Sequence, residues 1–93
     1  MVRWNLPLQG YIKINVDGSS FENPGNAGFE GLLRNDMRIW IQGFSGSCGR
    51  ASNLLAELSA ILKGLQLAWD LGYRSIIIES DSRTALDLIA DTN

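Results

Sequence analysis

The sequence predicts a small α/β domain in which a helix crosses over a mixed β-sheet. Apolar and polar residues alternate through residues 11–16, which is the period of a half-buried strand. Apolar residues at helical spacing form a stripe through residues 54–68. The run Ile76–Ile78 is entirely β-branched, as is typical of a central strand covered on both faces. Because two strands joined by a helical crossover lie parallel, we expect the last strand to run parallel to the first.

Length and composition limit the classes of function. Ninety-three residues suffice for one small domain, and the net charge of −2 argues against strong nonspecific binding of nucleic acid by the bulk field. The chain has no histidine and a single cysteine, Cys48, so Ser-His-Asp catalysis, a Cys–His pair, a histidine-ligated zinc and an internal disulfide are all excluded within it. Without a signal-peptide pattern or a long apolar run, we expect an intracellular protein of the nucleus or cytoplasm, with no membrane contact.

The first half of the chain predicts an antiparallel meander. Residues 1–9 show no period and are interpreted as a lead-in. Three strands follow, over about Tyr11–Val16, Ala27–Arg34 and Arg38–Phe44. The glycines of the second strand indicate bulges or close approach of backbones. Residues 45–50 are rich in glycine and serine, which predicts a mobile loop.

The second half predicts a long helix, a strand and a further helix. The long helix covers about Ser52–Leu71, with Ser52 as its N-cap and Gly72 after its end. Leu55, Leu62 and Trp69 widen its apolar stripe, so we expect these side chains to be buried. The stripe itself contains Leu54, Leu58, Ile61, Leu65 and Ala68.

The last strand and the second helix complete the prediction. The strand covers Ser75–Glu79, and the helix begins near Asp81 or Ser82. With the predicted strands numbered along the chain, the sheet order is 3-2-1-4.

Three acids stand at the points where this topology would place a ligand. Asp17 and Asp81 follow the two parallel strands, and Glu57 lies in the second turn of the helix that packs on them. Each acid has a plain structural interpretation: a turn residue for Asp17, a solvated helix position for Glu57 and a helix N-cap for Asp81. Taken together, their spacing favours a metal site, because converging carboxylates repel one another unless a cation binds.

Four short segments in order resemble the ribonuclease H fold, most closely the reverse-transcriptase-like ribonuclease H domains of plants and non-LTR retroelements. They are residues 15–19 (NVDGS), 23–25 (NPG), 53–57 (NLLAE) and 79–82 (ESDS). The resemblance covers nearly the whole chain and implies an endonuclease that cuts the RNA strand of RNA–DNA hybrids. Its cofactor would be Mg²⁺, with Mn²⁺ as a substitute, in a two-metal hydrolysis.

The resemblance also implies roles for individual residues. Asp17 would bridge both metals, Glu57 would hold one of them, and Asp81 would position the site and the nucleophilic water. Asn23 and Asn53 correspond to residues that contact the backbone and minor groove of the hybrid, where a 2′-OH distinguishes RNA from DNA. Weaker candidates for substrate binding are Ser19, Ser52 and Arg83.

The chain departs from the family pattern at its end. The family's last strand and helix, with a fourth carboxylate, would lie beyond Asn93, so we expect a single but incomplete domain over residues 1–93. An uncovered strand at residues 76–78 predicts dimerisation or strand exchange. A catalytically degenerate domain that binds nucleic acid or protein is the alternative function. A small-molecule enzyme is disfavoured because no GxGxxG or Walker pattern is present.

Overall fold

The chain forms a five-stranded sheet with two helices. The computed structural model describes residues 2–4, 10–22 and 24–91. The elements are β1 (Val2–Trp4), β2 (Tyr11–Ser20), β3 (Gly25–Asn35), β4 (Trp40–Ala51), α1 (Asn53–Asp70), β5 (Ser75–Glu79) and α2 (Arg83–Asp91). Neither helix is long and apolar enough to span a bilayer within the described part of the chain.

The sheet order confirms the predicted topology and adds one strand to it. The order is β1-β5-β2-β3-β4. The strands β2, β3 and β4 are antiparallel neighbours, and β5 lies parallel to β2, with Ile12 opposite Ile76. The parallel pairing of β2 with β5, which follows α1 in the chain, confirms the expectation for strands joined through a helical crossover.

Both helices pack on one face of the sheet, where the apolar core lies. Its largest fully buried side chains come from three strands and α1, and they are Ile12, Ile14, Leu33, Ile61 and Ile78. Ala85 and Leu86 of α2 join the same cluster. We call the opposite side, which carries Lys13, Asn15 and Asp17 of β2, the open face, since strand residues alternate between the two sides.

The ends of α1 agree with the sequence, but part of its predicted burial is wrong. Ser52 Oγ accepts a hydrogen bond from Leu55 N at 3.1 Å, and Gly72 takes a φ of 92° just beyond the helix. Leu55, Leu62 and Trp69, however, are 49%, 60% and 57% exposed, because the sheet covers a narrower side of α1 than expected. Trp69 instead packs under Arg74, whose guanidinium carbon lies 3.4 Å from the ring centroid.

The predicted mobile loop at residues 45–50 is also wrong, since this segment belongs to β4. The first of its two glycines marks a close approach: a Cβ at Gly46 would lie 2.4 Å from the ring of Phe29. Gly31 has the same kind of contact, since the ring of Phe44 occupies the space that a side chain at residue 31 would fill. The two rings lie diagonally across β3 and β4, with centroids 6.3 Å apart.

The lead-in segment contains a strand that the sequence pattern did not predict. Val2–Trp4 pairs antiparallel with Ile76–Ile78, so β5 is not at the edge of the sheet. The expectation of an uncovered apolar strand is therefore wrong, and the basis for dimerisation through it is removed.

Candidate functional site

Asp17 lies within a strand, not in a turn. The strand β2 continues three residues beyond it, to Ser20, and Asp17 pairs with Glu30 of β3. Its exposed carboxylate lies on the open face, in a groove of about 460 Å³ that Asn15, Glu30 and Ser45 also line. The plain interpretation of Asp17 as a turn residue is wrong, since the ladder continues through it.

Glu57 is a buried carboxylate held at both oxygens. Glu57 is only 7% exposed, although it lies on a helix of a small domain. Gly18 N donates to Oε1 at 2.6 Å, and Ser80 Oγ donates to Oε2 at 2.6 Å. The absence of a side chain at residue 18 permits this approach, because a Cβ there would lie 2.5 Å from the carbonyl carbon of Ala56. Glu57 is therefore not a solvated helix position.

Asp81 is exposed and does not cap α2. Ser82 performs that function: its Oγ accepts from Ala85 N at 3.2 Å, and its carbonyl accepts from Leu86 N at 3.1 Å. Asp81 shares a groove of about 520 Å³ with Gly18 and Glu57, between β2, α1 and the turn after β5. The carboxylate of Asp81 is thus available to a ligand in this groove.

Hydrogen bonds through Glu57 connect the two strand segments that carry the other acids. One oxygen binds the amide that follows Asp17, and the other binds the hydroxyl that precedes Asp81. The Ser80 hydroxyl also accepts from Ser82 N at 3.0 Å, which fixes the turn around Asp81. One buried carboxylate therefore sets the relative position of both strand segments.

The structure brings these acids to one corner of the sheet without closing them into a metal cluster. Among residues 2–4, 10–22 and 24–91, no group of three acids lies close enough together to hold a metal ion. Glu57 and Asp81 line one groove, and Asp17 lines the adjacent one. The donor chemistry nevertheless fits a hard cation such as Mg²⁺, since all three side chains offer carboxylate oxygens.

The predicted substrate-binding residues divide into two groups. Ser19 and Asn53 line the groove of Glu57 and Asp81, and Asn53 Oδ1 accepts from Ser20 N at 2.7 Å. Ser52 is instead engaged as the N-cap of α1, and Arg83 pairs with Asp87 on the exposed side of α2 at 2.9 Å. Asn23 lies outside the described residues.

Sequence reasoning missed a polar cluster beside the acids on the open face. Glu79 receives a hydrogen bond from Asn15 Nδ2 at 2.7 Å and lies 3.2 Å from Lys13 Nζ. Burial alone would raise the pKa of Glu79, but the hydrogen bonds from Asn15 and Lys13 and the charge of Lys13 hold it below its ordinary value. The signal in the sequence was the parallel register, which sets Asn15 opposite Glu79.

Comparisons with known proteins agree on a family. The family model described as reverse transcriptase-like matches residues 15–93. An Arabidopsis thaliana protein named "Putative ribonuclease H protein" is 37% identical over 89 residues, which are 96% of this chain and 14% of that protein.

Solved structures agree on the fold. RNase H1 from Halobacterium salinarum superimposes with a TM-score of 0.82 at 27% identity, over 90% of this chain and 64% of that one. The N-terminal RNase H domain of a Mycobacterium tuberculosis protein, solved as a fusion with maltose binding protein, gives the same TM-score and identity over 87% of this chain and 63% of that one. The chain thus spans less than two thirds of the length of each of these relatives.

Proposed function

Because this chain belongs to the reverse transcriptase-like family and has the ribonuclease H fold, we propose that it hydrolyses the RNA strand of RNA–DNA hybrids. The relatives that support this proposal are named for ribonuclease H activity. The sequence resemblance and the corner of acids point to the same chemistry, phosphodiester hydrolysis with a divalent cation.

The observation that carries the proposal is the position of Glu57. Burying a carboxylate is costly unless it is hydrogen-bonded, and Glu57 accepts hydrogen bonds from donors in two different segments of the chain. Those donors come from the neighbours of Asp17 and Asp81, so Glu57 holds the two exposed acids at one corner of the sheet. Each carboxylate oxygen has more than one lone pair, and Glu57 can therefore accept a cation while keeping both hydrogen bonds.

In this proposal Asp17, Glu57 and Asp81 would hold Mg²⁺, for which Mn²⁺ would substitute. When bound, the metal would supply an activated water and stabilise charge on the leaving oxygen. Ser80 orients Glu57, and the groove with Ser19 and Asn53 receives the sugar–phosphate backbone. Asn23, Ser52 and Arg83 are weaker candidates for contacts with the hybrid, since Ser52 and Arg83 already have intramolecular partners.

A domain that binds nucleic acid or protein without cutting is the second candidate. It is favoured by the two internal hydrogen bonds of Glu57, which give this carboxylate a structural role that needs no metal. It is also consistent with the separation of Asp17 from the groove of the other two acids.

A cleavage assay with end-labelled RNA in a blunt RNA–DNA hybrid separates the two candidates. We expect cleavage in Mg²⁺ and in Mn²⁺, none in EDTA, and a loss of roughly 100-fold or more in Asp17→Asn and Asp81→Asn, since each removes a metal ligand. Asp70→Asn is the matched control: this exposed acid, at the far end of α1, hydrogen-bonds Gln66 and lies outside the site.

Two results would overturn the nuclease proposal. One is an intact hybrid in both metals, with the protein folded and the hybrid bound. The other is cleavage that survives Asp17→Asn and Asp81→Asn, which would indicate a contaminating nuclease. The first result would favour the binding domain.

A further inference from the structure

A basic pocket lies on the open face, apart from the three acids. Lys13, Arg34 and Arg38 line a cavity of about 320 Å³ together with Asn15 and Glu79. These are three of the eight basic residues in a chain whose net charge is −2. Positive charge is therefore concentrated in one place on an otherwise acidic protein.

Two of these cations are available to a ligand. Lys13 and Arg34 lie directly opposite each other on β2 and β3, an arrangement of like charges that destabilises a sheet. Lys13 is compensated by Glu79, 3.2 Å away. Arg34 and Arg38 are exposed, and neither guanidinium has a hydrogen bond or ion pair within the described part of the chain. The pocket thus retains two uncompensated guanidinium groups.

The backbone at Arg38 gives independent support. Arg38 has a φ of 64°, the single described non-glycine residue in the left-handed region. The turn is closed by Asn35, whose Oδ1 accepts from Met37 N and Ile39 N at 2.9 Å. Glycine is the usual residue at such a turn position, since it adopts positive φ without strain. The arginine at this position costs backbone strain that a glycine would avoid, which makes its side chain a candidate for a function.

An exposed aromatic ring adjoins the same pocket. Trp40 is 62% exposed and pairs with Arg34 across β3 and β4. Its ring lies over Gly43, where a Cβ would be 3.8 Å from Trp40 Cζ2. Gly43 lines the groove of Asp17, and Asn15 lines both that groove and the basic pocket. The surface is therefore continuous from Asp17 to Arg38.

We propose that this basic pocket binds a single-stranded segment of nucleic acid. Arg34 and Arg38 take the phosphates, and an unpaired base stacks on Trp40. Lys13 lies four residues from Asp17 along β2, which is a distance of about 13 Å. Because the pocket is this far from the proposed site of cleavage, we assign the bound segment to a single-stranded extension of the substrate. The proposal rests on the proposed function, because it takes a nucleic acid as the natural ligand of this family member.

Fluorescence anisotropy with a labelled 12-nucleotide single strand, RNA or DNA, tests this surface. We expect salt-dependent binding, and Arg34→Gln and Arg38→Gly should each lower the slope of log K against log salt by about 0.7. Trp40→Ala should weaken binding by roughly five-fold or more. Lys63→Gln is the matched control, since this exposed lysine lies on α1, on the other side of the sheet.

The outcomes distinguish this proposal from the nuclease proposal. Binding of the single strand is measured in EDTA, where the three acids hold no metal, whereas cleavage is measured separately on a blunt hybrid in Mg²⁺. No binding of the single strand, or equal salt slopes in the wild type and both arginine variants, would overturn the proposal even if the blunt hybrid is cut. Binding of a polyglutamate peptide but not of the oligonucleotide would overturn it too, in favour of an acidic protein partner.

The variant Arg38→Gly removes backbone strain, so we expect it to fold, and a thermal melt verifies this.

Discussion

At the scale of single residues, Glu57 combines a structural and a proposed chemical role, and two substitutions separate them. In Glu57→Gln the amide oxygen still accepts from Gly18 N, while the amide nitrogen donates to Ser80 Oγ. We expect a melting temperature close to that of the wild type without metal, and no cleavage. Glu57→Ala leaves both donors without a partner and should lower the free energy of unfolding by about 1–3 kcal/mol per lost partner at most.

Chemical denaturation measures the stability of Glu57→Gln and Glu57→Ala, and the hybrid cleavage assay measures their activity. Ser80→Ala serves as a control, since it removes one donor and leaves the negative charge in place. Equal activity of Glu57→Gln and the wild type would remove Glu57 from the metal-binding set and leave it as a structural residue.

Glu79 makes the stability of the chain dependent on pH. Its pKa in the folded state is lowered, so its partners contribute stability above the ordinary glutamate value of 4.5, and this contribution is lost as the pH falls through the folded pKa. We expect the difference in melting temperature between the wild type and Glu79→Gln to be largest near pH 6 and to shrink below pH ~4.5.

Melts from pH 6 to pH 3 measure this difference, with Lys13→Met as the second arm of a double-mutant cycle. A difference that stays constant over that range would show that the ion pair and the Asn15 hydrogen bond do not stabilise the charged form of Glu79.

The sequence predicts where the three acids stand, but not what their oxygens contact. Parallel strands and helical spacing predict Asp17, Glu57 and Asp81 near one corner of the sheet, but the strand end predicted before Asp17 is wrong, since β2 continues to Ser20. The contact from Gly18 N to Glu57 depends on how closely α1 approaches β2, and that distance is a property of packing. For the same reason the sequence did not distinguish Ser82 from Asp81 as the cap of α2.

At the scale of elements, two glycines permit α1 to lie close to the sheet. A Cβ at Gly18 would lie 2.5 Å from the carbonyl carbon of Ala56 and 2.6 Å from Glu57 N. A Cβ at Gly64 would lie 2.7 Å from Cγ2 of Ile14. The first obstacle is helix backbone and the second is a side chain that can adjust.

We therefore expect Gly18→Ala to destabilise the fold more than the matched substitution Gly64→Ala. Overpacking against backbone should cost about 2–3 kcal/mol, which for a domain of this size lowers the melting temperature by roughly 10 °C or more. In Gly64→Ala the clash is partly offset by about 1 kcal/mol of helix propensity. Thermal melts of both variants test the order, and a larger loss for Gly64→Ala would contradict it.

Patterns of local sequence predicted the interior elements well and the sheet margins poorly. The strand at Ser75–Glu79 and the helix after Ser52 have strong periodic or capping signals and appear where expected. The extension of β4 through Gly46 depends on Phe29 of the neighbouring strand, a contact that no local pattern contains. The strand Val2–Trp4 is likewise too short to show a period, and its pairing with β5 is a tertiary contact.

At the scale of the whole molecule, the three acids should couple metal binding to stability. Carboxylates gathered at one corner repel one another, and a bound cation relieves this repulsion only in the folded chain. For a dissociation constant on the order of 1 mM, 10 mM Mg²⁺ stabilises the fold by about 1.4 kcal/mol. In a domain of 93 residues this raises the melting temperature by roughly 6–11 °C.

Melts in MgCl₂ and in NaCl of matched ionic strength, about 30 mM, separate metal binding from screening. Asp17→Asn and Asp81→Asn should each remove most of the shift, whereas Asp70→Asn should keep it, because Asp70 lies at the opposite end of α1. A shift of equal size in all three variants would mean that Mg²⁺ acts on the general negative charge. In that case the three acids would not form a metal site, and the hydrogen bonds of Glu57 would serve only the stability of the fold.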